Sequence, residues 1–112
     1  MKKINFKLEK NKETVIEEKN INSIINKNKI TFAINGIKYT YENNIFTRET
    51  KEEIITINFI KETCTIYLKD INQALELKIN VIKKEKNNNI ESMEYKIETE
   101  ENIINKISIE YI

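Results

Sequence analysis

Along most of the chain, apolar and polar residues alternate one for one. Asn5 and Lys7 separate Ile4, Phe6 and Leu8; Thr31 and Ala33 separate Ile30, Phe32 and Ile34; Glu76, Lys78 and Asn80 separate Leu75, Leu77, Ile79 and Val81. Successive side chains on a strand point to opposite faces, so a period of two predicts strands with one face buried and the other in water.

Residues between these runs predict how the strands join. Asn35-Gly36 suits a two-residue type I′ turn, which needs positive φ at both positions. The hairpin it predicts sets Ile34 against Ile37, Phe32 against Tyr39 and Ile30 against Tyr41, with Thr31–Thr40 and Lys29–Glu42 on the other face. A second hairpin, around Lys61-Glu62, pairs Phe59 with Cys64, Ile57 with Ile66 and Ile55 with Leu68 across a loop from Ile60 to Thr63. In a third, charge favours Leu77 opposite Tyr95, with Lys78–Glu94 and Glu76–Lys96, leaving Lys83 to Asn89 as a polar loop. The last pairs Ile97 with Ile107, Tyr95 with Ile109, Met93 with Tyr111 and Glu98 with Lys106, and Ile103 and Ile104 suggest a bulge near its turn.

Residues 13 to 28 carry two patterns. Thr14 to Glu18 reads as a strand, whereas Ile21, Ile24 and Ile25 have helix-like spacing. A strand followed by irregular chain is the favoured reading, and a helix covering one sheet face is the alternative. The whole of 1–112 is then one all-β domain, an antiparallel meander of about eight or nine strands. Closure into a small barrel would remove the exposed edges of so long a meander.

Composition narrows the function. With 112 residues, 39% hydrophobic and 33% charged, the chain has material for one core rather than for a disordered tail. Its 19 basic and 18 acidic side chains are interleaved and leave a net charge of +1, which is no footprint for nucleic acid. The charged start, Met1-Lys2-Lys3, leads into Lys7, Glu9 and Lys10 rather than an apolar signal segment, and no run approaches the ~20 residues of a membrane span. A cytoplasmic location is expected, and the lone Cys64 agrees with it. The abundance of Ile, Lys, Asn and Glu, with one Gly and no Pro, suggests a bacterial genome of low GC content.

The chemical inventory is short. The chain has no histidine, the usual general base and transition-metal ligand. Cys64 has no sequence neighbour that would lower its pKa, and one glycine makes no phosphate-cradling loop. No metal, cofactor or catalytic residue is expected. The pairs Glu17-Glu18, Glu52-Glu53 and Glu100-Glu101 diverge to opposite faces if they lie on strands. Arg48, the only arginine, shares strand parity with Phe46. It either points inward to bind a carboxylate ligand or sits at the rim paired to a glutamate. Tyr39 and Tyr41 are core by the hairpin register and are also candidates for orienting a ligand at a barrel mouth.

Tyr39-Thr40-Tyr41-Glu42, the strand Leu75 to Val81, Ser92-Met93-Glu94-Tyr95 and Ile107-Ser108-Ile109 together resemble the YwiB-like family of small bacterial calycin-like barrels. The resemblance runs in patches from Asn35-Gly36 to the C-terminus. It implies a calycin-like, lipocalin-like shape and no established activity. The chain departs from the family in having few turn glycines and a shorter segment near Lys69 to Gln73. It also lacks the Gly-x-Trp of lipocalins proper.

Two functions remain. One is a non-enzymatic barrel that takes a small apolar ligand in an interior cavity of at least ~300 Å³. The other is a protein-interaction or self-association module, monomer or weak homodimer, that uses an unclosed sheet edge or an exposed aliphatic face. Ile54, Ile60 and Ile82, which fall on otherwise polar faces, motivate it. An enzyme relying on Glu and Tyr ranks third.

Overall fold

A computed structural model describes residues 2–112, and every regular element among them is a strand. In chain order these are β1 (Lys2–Lys10), β2 (Glu13–Asn26), β3 (Lys29–Ile34), β4 (Ile37–Glu42) and β5 (Ile45–Glu49). They continue as β6 (Glu53–Asn58), β7 (Thr63–Leu68), β8 (Gln73–Lys86), β9 (Ile90–Ile97) and β10 (Asn105–Tyr111). Each strand pairs antiparallel with the next, and β10 returns to pair with β1, so the meander closes into a barrel. There are ten strands rather than eight or nine, counting the short β5 that an Asn43-Asn44 turn sets off from β4.

Two long strands turn the corners between the halves of the wall. β2 pairs with β1 from Glu13 to Ser23 and with β3 only from Ile24 to Asn26. β8 pairs with β7 from Gln73 to Lys78 and with β9 from Ile79 to Lys86. Residues 13–26 are thus one continuous strand, neither helix nor irregular chain. Two register shifts against β1 and the positive φ of Asn20 explain the misleading pattern, because a bulge resets the period-two alternation. The β3-facing edge of Glu13 to Ser23 has no strand partner, and its bulges and charges blunt it against further pairing.

Asparagine does the turn work that glycine does elsewhere. Of the nine non-glycine residues with positive φ among the described residues, six are Asn. The two-residue turns Asn11-Lys12, Asn35-Gly36 and Asn43-Asn44 each open on one, at φ of 50°, 51° and 49°. Asn tolerates this region because its short polar side chain can bond locally, whereas most L-residues lose roughly 1–2 kcal/mol there.

The Asn35-Gly36 hairpin has the expected register, pair for pair. Three others differ. In the second, Ile57 rather than Phe59 faces Cys64, two residues from expectation. Asn58 sets this register, since its Oδ1 accepts from the amides of Ile60 (3.0 Å) and Lys61 (2.9 Å) and fixes the loop at 59–62. In the third, Val81 rather than Leu77 faces Tyr95, a slip of four, and Leu77 faces Cys64. There the turn is Asn87 to Asn89, closed by Asn87 Oδ1 accepting from the amides of Asn89 and Ile90, so Lys83 to Lys86 remain in strand. In the fourth, Asn105 rather than Ile109 faces Tyr95, and Lys106 faces Glu94 instead of Glu98. Ile103 and Ile104 lie in the loop before β10 rather than in a strand bulge; Ile104 exchanges backbone and side-chain bonds with Asn11.

Alternate residues of every strand fill the interior. Phe6 is central, with ring centroids 4.9 Å from Phe32, 5.0 Å from Tyr39 and 6.0 Å from Phe46. Tilted and offset rings at these separations add ~0.5–1.5 kcal/mol per pair to the burial itself. Phe59 meets Tyr95 edge-on at 5.6 Å, and Ile4, Ile79, Met93, Ile107 and Ile109 complete the core.

Candidate functional site

Because aromatic rings occupy the middle of the barrel, the open space lies at its mouth. A cavity of about 540 Å³ is bounded by the turns at Lys27-Asn28 and Asn43-Asn44 and by the ends of β8, β9 and β10. Ile25, Ile30 and Met93 give it an apolar wall, and Tyr41, Glu91 and Tyr111 bring polar atoms to it.

A bulge decides which β8 side chains face this space. Val81 pairs with Tyr95 and Lys83 with Glu94, so Ile82 is the unmatched residue. Before it, odd-numbered residues share the inner face, as buried Ile79 shows. Beyond it the parity reverses: Lys84 stands opposite buried Met93 and Lys86 opposite Glu91, both on the inner face. On the outer face Lys83 and Glu85 satisfy each other with an ion pair of 2.6 Å. Lys84, Lys86 and Glu91 take part in none of the ion pairs among the described residues.

Glu91 is held by phenols instead. The Tyr111 hydroxyl donates to Glu91 Oε1 at 3.0 Å. Burial, and then the charge of Glu91, push the Tyr41 phenol up to about 12; the same two causes raise Tyr111 above the ordinary tyrosine range. Both phenols therefore stay protonated and able to donate at neutral pH.

The expected site residues separate. Tyr41 lines the mouth cavity and is 5% exposed. Tyr39 has no exposed surface and belongs to the ring cluster, where its hydroxyl has no hydrogen-bond partner. Arg48 shares the inner face with buried Phe46, directly opposite Tyr39, but it lies outside the mouth cavity and its Nη1 is 3.7 Å from Glu53 Oε1. Arg48 thus combines the inner-face parity with a glutamate partner.

Glu91, Tyr111, Lys84 and Lys86 were not among the expected site residues. The four-residue slip put Tyr111 opposite Met93 and consigned Lys83 to Asn89 to a solvated loop. The parity of Glu91 with Met93 and Tyr95 was the available signal, since alternate residues of one strand share a face. Cys64 is buried, and burial raises its thiol pKa.

Comparison with family models, curated proteins and solved structures returns no match. No helix among the described residues is long and apolar enough to cross a membrane.

Proposed function

We propose that this chain is a non-enzymatic, cytoplasmic, calycin-like barrel related to the YwiB-like family, and that it binds a small molecule at its mouth. The observation that carries this reading is an inward carboxylate, Glu91, set beside two phenols in a cavity of about 540 Å³. That volume lies in the range of small-molecule sites, ~300–1,000 Å³. Ile25, Ile30 and Met93 accept an aliphatic portion of the ligand, as an apolar ligand requires. The polar floor orients the rest. The absence of histidine from the chain supports binding rather than acid–base chemistry at neutral pH.

Thermal unfolding tests this, because a ligand that binds only the folded state raises the midpoint. Short aliphatic probes (n-butanol, butyrate, n-butylamine and γ-aminobutyrate) are added singly to the wild type and to Ile25→Trp, which narrows the mouth from a partly exposed position. At least one probe raises the wild-type midpoint, and the substitution abolishes the rise. No rise with any probe counts against the reading.

A second reading, self-association or partner binding, rests on exposed aliphatic side chains. Ile60, in a turn, and Ile82, at the bulge, are exposed as expected, whereas Ile54 is half-buried. The β7–β8 hairpin adds a further group of exposed aliphatics, Leu68, Ile71 and Leu75. Sedimentation at micromolar concentration distinguishes the readings: a dimer dispersed by Ile71→Ser favours the second.

A further inference from the structure

The charges around the mouth restrict the class of ligand. Four lysines (Lys27, Lys29, Lys84 and Lys86) line it against two glutamates, and one of these, Glu85, is neutralised on the outer face by Lys83. Glu91 is therefore a negative centre within a positive surround. Lys86, its cross-strand neighbour, does not close an ion pair with it.

Resting on the reading that the mouth is a ligand site, we propose that its ligand is a small zwitterion. Its ammonium group sits on Glu91 beside Tyr41 and Tyr111, and its anionic group, a carboxylate or a phosphate, meets Lys84 and Lys86. A purely cationic ligand would gain Glu91 but meet the repulsion of the lysines. A purely anionic one would gain the lysines but meet Glu91. Only a ligand carrying both charges finds a complement at each place. Tyr111 occupies one acceptor position on Glu91, and a carboxylate has further lone pairs with which to accept from an ammonium.

Titration calorimetry on the intact chain compares γ-aminobutyrate and O-phosphoethanolamine with their half-molecules, n-butylamine and butyrate, and with n-butanol. At least one zwitterion should bind roughly tenfold or more tightly than either half-molecule, the gain expected of a further charge-assisted contact. Which zwitterion wins tells a carboxylate source from a phosphate source. Glu91→Gln should remove the preference for the ammonium while sparing butyrate binding, and Lys84→Met/Lys86→Met should do the reverse. If Glu91→Gln fails to fold, Tyr111→Phe supplies the same comparison with a smaller loss. Butyrate or butylamine binding as tightly as both zwitterions overturns the proposal. Binding of n-butanol alone overturns it as well but leaves the mouth as a ligand site. If no probe binds, both the proposal and the site reading fail.

Discussion

Tyr111 donates its hydroxyl to Glu91 at 3.0 Å, although the two are not cross-strand partners: Glu91 faces Ile109, and Tyr111 faces Ile4. The bond runs diagonally across the β9–β10 ladder, on the inner face, and aims the carboxylate at the mouth. Glu91→Gln removes the charge that helps raise both Tyr41 and Tyr111. Spectrophotometric titration of the folded variant should find both phenols ionising at lower pH than in the wild type. Unchanged titration curves would separate Glu91 from these tyrosines.

Stability should fall on the alkaline side, with a sign fixed by the same phenols. Tyr41 moves from 10.0 to about 12 in the folded chain, and burial also raises Tyr95 and Tyr111. The unfolded chain then loses its phenolic protons first, so the stabilising contribution is complete below pH ~10 and disappears as pH rises through the folded values. Urea midpoints measured from neutral pH to pH ~11 should decline steeply only at the upper end. A midpoint that holds level through pH ~11 would mean that these phenols ionise alike in the folded and unfolded chain.

The buried Tyr39 hydroxyl has no hydrogen-bond partner, and an unsatisfied polar atom in such a place costs ~1–3 kcal/mol. Tyr39→Phe keeps the ring contacts with Phe6, Phe32 and Phe46 and removes only that oxygen. It should raise stability by about 1 kcal/mol in urea unfolding. A loss of similar size would mean that the hydroxyl is satisfied in solution.

Cys64 is 3% exposed and faces Ile57 and Leu77 across its two ladders. A thiol reagent should modify the native protein at the rate of global or local opening. In mild urea that rate should rise in parallel with the unfolded fraction. Fast modification without denaturant would show that the β6–β8 wall opens readily.

Most of the inner face was legible in the sequence even where the pairing was not. The registers of β6–β7, β9–β10 and, as far as the bulge at Ile82, β8–β9 differ from expectation by two or four residues, and an even slip leaves those side chains on their own faces. Ile57, Cys64, Ile79, Met93, Tyr95, Ile107 and Ile109 are therefore core under either register. Only the Asn35-Gly36 hairpin had a turn that fixed its register outright. Elsewhere the register depends on Asn58 and Asn87, which bond to their own loops and in a chain so rich in Asn read as ordinary polar residues. The bulge at Ile82 was illegible for a related reason: it is one added residue in a run of lysines, with no alternation beyond it to reveal the change of parity. The candidate site depends on that bulge, so the site was hidden although the fold was not.

Chemical-shift mapping of the isotope-labelled protein during titration with the short aliphatic probes tests the central claim most directly, because it reports where a probe binds. Shifts should gather at Ile30, Tyr41, Glu91, Met93 and Tyr111, with Arg48 and Ile55 unmoved. Shifts centred on Arg48, or none with any probe, would contradict a ligand site at the mouth.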